Sequence, residues 1–442
     1  MTRIFFLFLI YTSLLSCSFD NRSGIWNNPT NSLGKKDPLK SFKKIKVNQD
    51  IIFNKTLELK KDYTFNINSS KPNKFWRDKY YNSSNNYENF YYKDRGETEL
   101  ITKKLSRYNV NDTFLLEDNK MFFSDVDGNI IIYSLNEKKI LKKFNFYRKK
   151  FKNQTKNLSI STLGQIMYIS DNLGYIYAYD YKKNKIVWAI NNKVPLRSNL
   201  KVTDDKLIVA DQDNNLLIID RNAGEIIKKF PTEDVLIKNN FKNNISLSDK
   251  NIFFLNTFGS IYSISLEDLK IKWFINLQET FSNDLSNLFN SQVIMYHNEK
   301  LVIATNFYLY ILDSKNGATL QKIAISSNSQ PIVSGNHIFL VTKNNLLVCV
   351  NIEDGDIIYS FNINQKISDY LKIKSSKVNI VSNRLVNNHL YFYLDNSHVI
   401  KFYIYGEIKD IIKLPKKILL GPSFVNSLMY YIDTRKKLVV IN

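Results

Sequence analysis

The chain has 442 residues, 44% of them apolar and 14% aromatic, ample for a packed core. Its formal net charge of +21 comes from 52 lysines and only 10 arginines against 41 acidic residues. Nucleic-acid readers depend on the arginine fork, so the charge reads as a lysine-rich soluble surface, with attraction to anionic lipid or an acidic partner as the alternative, and no nucleic-acid partner is expected.

The amino terminus has one basic residue, Arg3, and then an apolar run from Ile4 to Leu15. As a helix these twelve residues rise about 18 Å, short of a bilayer core of about 30 Å, so the run reads as a cleaved export signal. Its end, Leu14-Leu15-Ser16-Cys17, resembles the lipobox of bacterial lipoproteins. That resemblance implies cleavage after residue 16 and acylation of Cys17, giving stable anchoring by several acyl chains. Ser18, in place of an Asp, points to sorting to the outer membrane. Residues 17–60, rich in Asn, Lys, Ser and Pro, read as a lipidated flexible tether, and 61–442 as the folded domain. Residues 62–66 carry a strand pattern, and the polar, tyrosine-rich 77–97 a loop.

From residue 120 onward a repeat takes over. A short apolar strand (KMFFSD 120–125, QIMYIS 165–170, KLIVAD 206–211, NIFFLN 251–256, KLVIAT 300–305, HIFLVT 337–342, HLYFYL 389–394, LMYYID 428–433) meets a tight turn rich in Asp, Asn and Gly. An alternating strand follows, then a second turn and an outer strand that twice carries a tryptophan, Trp188 and Trp273. The residues closing the alternating strand, Asn136, Asp180, Asp220, Ser265, Asp313 and Asn351, recur 38 to 48 residues apart. A less regular copy occupies 398–414, and the last ends at Asn442. Eight units of this length predict an all-β fold: an eight-bladed β-propeller of four-stranded antiparallel blades, preceded by the signal peptide and tether. The chain stops just after the last inner strand, so a strand from within 50–66 is expected to complete the final blade and close the ring.

The unit "strand, D-x-x-G-x, I-Y-A-x-D, turn with N-x-G, x-I-x-W" resembles the quinoprotein-like propeller repeat. With Cys17 and eight units it resembles the BamB family of outer-membrane assembly lipoproteins, over roughly 75–442, and KFWRDKYYNSSNN (74–86) resembles the stretch before the first blade in that family. The resemblance implies a non-catalytic scaffold, without cofactor, anchored to the periplasmic face of the outer membrane. The implied partners are the BamA POTRA domains, other subunits of the barrel-assembly (BAM) complex and unfolded outer-membrane protein clients. The family's partner contact falls on Val235-Leu236-Ile237-Lys238, where Lys238 replaces an arginine, and its acidic pair falls on the uncharged Leu288 and Asn290. An ordinary strand start with a solvated lysine is the alternative for 235–238.

The same repeat is shared with pyrroloquinoline-quinone dehydrogenases, many of which hold calcium and place adjacent cysteines over the cofactor. Here the cysteines, Cys17 and Cys349, are far apart, and Cys349 lies in the apolar LLVCV, a core pattern. His297, His337, His389 and His398 fit no zinc spacing and read as solvated turn residues. Asp125 to Asn129 (DVDGN) read as a turn rather than a calcium loop. The lysine-rich 137–156 reads as an exposed outer strand, with binding to anionic lipid or an acidic partner as the alternative. A propeller lipoprotein binding polysaccharide is a third possibility.

Overall fold

The structure is a computed structural model that describes residues 52–442 apart from 148, 235–240, 279–290, 328 and 375–376. It also describes a short antiparallel strand pair, Ser18–Phe19 with Trp26–Asn27. By its contacts the chain forms two units, 1–51 and 52–442. The second is an eight-bladed β-propeller.

The repeated turns explain the blades. After the second strand of the second blade, Asp171 accepts hydrogen bonds at its Oδ1 from the backbone N–H groups of Leu173 and Tyr175, both at 2.8 Å. The same side-chain clasp recurs at Asp125, Asp211 and Asn256. The clasp goes with a left-handed residue three positions after the clasping side chain, which is why a glycine or asparagine stands there: Gly174 has φ +92° and Asn214 φ +60°. DVDGN is therefore a turn, with Asp125 holding the N–H groups of Asp127 and Asn129.

Each blade also has an innermost strand, the one the repeat pattern does not display. In the first blade the order is Val110–Glu117, Lys120–Asp125, Asn129–Ser134 and Lys139–Asn145, all antiparallel. The second to sixth blades follow the same plan from Leu158, Lys201, Asn244, Ser291 and Ile332. The seventh runs from Ile380 to Lys413, and the two-residue strand Asn89–Phe90 pairs parallel to its innermost strand. The two middle strands of a blade are almost wholly buried, as in Tyr175–Asp180, whereas outer strands such as Lys139–Asn145 are exposed along most of their length. The lysines of 137–145 thus sit on an outer edge, where charge discourages unwanted strand pairing. Cys349 lies fully buried among Phe339, Val341 and Tyr359.

Neighbouring blades are locked by the outer-strand tryptophans. Trp188 Nε1 donates to Arg221 O of the third blade at 2.9 Å, and Trp273 Nε1 to Ser314 O of the fifth at 3.0 Å. Each indole lies over a turn glycine, Gly224 or Gly317, where an added Cβ would come within 2.6 Å of the ring.

Two expectations are corrected. The ring is closed by Thr98–Ile101, which pairs antiparallel with Leu438–Ile441 of the eighth blade (Val440 opposite Leu100), and not by a strand from 50–66. The earlier segment is engaged elsewhere: Leu57 pairs with Ser360 on the outer strand of the sixth blade. Residues 62–66 form no strand; Tyr63 and Phe65 pack on that blade, beside His337.

The histidine expectation divides. His337 and His297 are buried, not solvated. His337 hydrogen-bonds Tyr63 Oη and Asn66 O, both at 3.0 Å, and His297 bonds Gly335 O at 3.1 Å. Burial lowers the pKa of both rings, opposed by these carbonyl contacts. His389 and His398 are partly exposed beside turns.

Candidate functional site

In an antiparallel four-stranded blade the chain leaves the outer strand on the same face as the turn between the second and third strands. The chain makes that exit after Phe230 on the third blade and after Asn276 on the fourth, so both exits open on one face. Val235, Ile237, Lys238 and Asn290, with Leu236 and Leu288, lie outside the described residues, as does Cys17.

What is described is the stem of the first loop. Glu233 accepts hydrogen bonds from Tyr262 Oη at 2.7 Å, Ser260 Oγ at 2.8 Å and Asn256 Nδ2 at 3.0 Å, all on the fourth blade. Burial works against the charge, but these donors outweigh it and hold the Glu233 carboxyl below its ordinary value. The loop therefore starts from a carboxylate pinned to the next blade. Sequence reading passed over Glu233, whose signal, an isolated acid after an outer strand, is carried by no spacing.

At the centre of the propeller lies the larger surprise. Within and just before the 77–97 expected to be a loop, residues 73–92 form a largely buried coil that circles the axis and touches the innermost strand of every blade in turn. Trp76 exchanges backbone hydrogen bonds with Leu116 of the first blade, at 2.7 and 2.9 Å. Arg77 O accepts from Ser161 Oγ and Thr162 N of the second. Asp78 Oδ2 and Asn82 O receive Lys201 Nζ of the third, both at 2.9 Å. Ser83 O accepts from Leu247 N of the fourth and Ser84 O from Tyr296 N of the fifth. Asn85 Nδ2 bridges Ile245 O and Ile294 O at 2.8 and 2.9 Å, and Asn86 Nδ2 reaches Val333 O of the sixth at 3.1 Å. Asn89 and Phe90 add to the seventh, and the Phe90 ring stacks on Phe424 of the eighth at 5.7 Å between centroids. Asn73 Nδ2 donates to Phe424 O, closing the circuit.

The polar content of this coil follows from what it meets. Innermost strands present carbonyls and N–H groups to the axis that no further strand pairs, and buried backbone groups need partners. Asparagine amides and backbone oxygens supply them. Lys201 is fully buried, its ammonium pulled below its ordinary value by burial, against the opposing pull of Asp78.

Above the coil, on the face where the innermost strands begin, opens an axial cavity of about 250 Å³. Its floor includes Trp76, Tyr80 and Tyr87, and its wall Arg384 of the seventh blade and Asp112 of the first. Asp112 takes Lys79 at 2.5 Å and Lys242, just before the fourth blade, at 3.0 Å, so one carboxylate is shared by two lysines. Burial disfavours the Asp112 charge, yet the two lysines outweigh it and keep the carboxyl well below the usual carboxylate range. Among the described residues no cluster of three or more His, Cys, Asp or Glu side chains could hold a metal ion, and no helix is long and apolar enough to cross a membrane.

Comparison with known proteins places the fold. No curated protein matches the chain. Among solved structures it is similar to BamB from Moraxella catarrhalis, at 13% identity and TM-score 0.60, covering 78% of this chain and all of that one. It is similar to quinohemoprotein alcohol dehydrogenase from Comamonas testosteroni, at 10% identity and TM-score 0.60, over 83% and 80% of the two chains. The computationally designed Ika8 protein matches at 9% identity and TM-score 0.59, over 78% and 99%. At such identities these likenesses establish the propeller alone. The model of the family described as outer membrane protein assembly factor BamB matches residues 155–382, more than half of the chain, and the chain belongs to that family.

Proposed function

We propose that the chain is a non-catalytic scaffold lipoprotein of the outer-membrane barrel-assembly (BAM) complex. In this reading residues 1–16 are a cleaved signal, Cys17 carries the lipid anchor on the periplasmic face of the outer membrane, 17–60 are a tether and 61–442 the propeller. The partner is the POTRA region of BamA, met by the loops that hold Val235, Ile237, Lys238 and Asn290, and the task is to assist insertion of outer-membrane proteins. The observation that carries the proposal is membership of the assembly-factor family across 155–382.

A second observation weighs against dehydrogenase chemistry like that of the Comamonas neighbour. The propeller axis is filled by the chain's own Trp76–Phe90, hydrogen-bonded to the blades, and a planar cofactor seated there would have to displace those bonds. No adjacent cysteines stand ready to cover one, since the two cysteines are Cys17 and Cys349.

The test is affinity purification of the lipidated protein from mildly solubilised membranes, with mass spectrometry of the bound material. Near-stoichiometric recovery of a POTRA-containing barrel protein is expected, reduced at least tenfold by Val235→Asp with Ile237→Asp. Recovery of a bound quinone chromophore with no such partner would overturn the reading.

A further inference from the structure

Arg384 stands on the innermost strand of the seventh blade, 6% exposed, with its guanidinium carbon 4.0 Å above the centre of the Tyr87 ring. Its hydrogen-bond partners are all neutral: Pro422 O from Nε at 3.1 Å, and Ser382 Oγ and Asn383 O from Nη1 at 2.8 and 2.7 Å. Among the described residues no carboxylate comes within ion-pair distance of it. Arginine does not shed its proton in a protein, so the charge is held in a place from which water is largely excluded. Carbonyl dipoles and a ring face offset such a cost only in part.

Three further features sit around the same guanidinium. Gly421 lines the axial cavity beside Nη2, which lies 3.4 Å from where a Cβ on that glycine would stand. Gly421 has no positive φ to require a glycine; it is there because Ser382 packs against it, an added Cβ coming within 2.7 Å of Ser382 Oγ. Ser329 Oγ, in the same cavity, is buried and has no hydrogen-bond partner among the described residues. The cavity lining carries two cations, Lys79 and Arg384, against the single carboxylate Asp112, which also pairs with Lys242. A volume of about 250 Å³ falls below the roughly 300–1,000 Å³ of sites for drug-sized ligands.

We propose that the axial cavity is a binding site for a small oxyanion, whose carboxylate or phosphate oxygens are taken by Arg384 Nη2 and Ser329 Oγ beneath the Lys79–Asp112–Lys242 bridge. The fork geometry of arginine suits either oxyanion. Lys79 and Asp112 line the same cavity as Arg384, so the oxyanion would sit in a positively charged surround.

The full-length protein is titrated with inorganic phosphate and, separately, with succinate, at constant ionic strength maintained with sodium chloride. Binding is read by isothermal calorimetry and by the shift in melting temperature. Saturable binding of at least one of the two anions is expected, and the pair of titrations tells phosphate recognition from carboxylate recognition. Arg384→Gln should weaken that binding at least tenfold. Ser382→Asp sets a resident carboxylate against Nη1 and should also weaken it at least tenfold while keeping or raising the melting temperature in the absence of ligand. If Arg384→Gln fails to fold, Ser382→Asp decides the matter. Binding no stronger than chloride for both anions, or unchanged binding in Ser382→Asp, overturns the proposal.

Discussion

Asn85 offers the sharpest test of the axial coil. Its side chain is fully buried, and Nδ2 holds Ile245 O and Ile294 O on two different blades. Its backbone has φ +62°, a left-handed conformation that asparagine tolerates and alanine does not. Asn85→Ala removes two buried hydrogen bonds, about 1 kcal/mol each, and adds about 1–2 kcal/mol for a Cβ-bearing residue without a local polar partner at positive φ. The expected loss is thus about 3–4 kcal/mol. Asn85→Gly loses the same hydrogen bonds but not the steric term, so its loss should be nearer 2 kcal/mol. Asn85→Asp replaces the donating Nδ2 by a charged acceptor facing two carbonyls and should be at least as damaging as alanine. Urea unfolding followed by tryptophan fluorescence measures all three, with Trp76 reporting from the coil itself. If Asn85→Ala and Asn85→Gly both unfold within about 0.5 kcal/mol of the parent, the coil is an ornament on a self-sufficient ring and the reasoning fails.

Gly317→Ala should cost about 2 kcal/mol by thermal unfolding, because φ is +78° and the new methyl meets the Trp273 ring; an unchanged melting temperature would show that the indole is free to move. Trp273→Phe should cost at least the lost bond to Ser314 O, about 1 kcal/mol. The buried His297 and His337 have folded pKa values lowered by burial, so the unfolded chain takes up protons first. Their contribution is complete above the unfolded value of about 6.5 and is lost as pH falls through the lower folded values. His337→Gln should flatten the decline in stability on acidification below that value, and an equally steep decline in that variant would refute the assignment. Burial also pushes the Cys349 thiol up, so maleimide at pH 8 should label it only on unfolding; labelling at the rate of a free thiol in the native protein would contradict its place in the core.

The propeller was legible because its information is local. An Asp or Asn that clasps its own turn, a residue at positive φ and a buried alternating strand lie within about ten residues of one another, and the strand–turn–strand unit recurs around the ring. The innermost strands were harder to see: Lys201–Val202 is two residues long, and others carry Ser and Asn to meet the coil. The coil itself was illegible. Residues 73–92 have neither the period of a strand nor that of a helix, and their partners stand up to 351 positions away, as with Asn73 and Phe424. Asparagines that would usually mark a solvated loop are buried there because the amides of Asn85, Asn86 and Asn89 donate to residues far away in the chain. The same blindness moved the ring-closing strand. Residues 50–66 and Thr98–Ile101 both carry extended patterns, and the choice between them depends on a path across the axis that no short stretch encodes. Burial of His337 likewise depends on Tyr63 and Asn66, more than 270 residues earlier.

The order of contacts along the coil has a bearing on how such a ring is built. Synthesis delivers the chain amino terminus first, and domains take shape as they emerge. Trp76 precedes Arg77, Asp78, Ser83, Asn86 and Phe90, and the strands they hold, from Leu116 to Phe424, appear in the same sequence. Each new blade thus meets a stretch of coil that has already been synthesised, in the order in which the blades appear. Thr98–Ile101, also made early, waits unpaired until Leu438–Ile441 arrives, so that a chain cut short anywhere in its last few residues leaves an open strand edge and an unsealed ring.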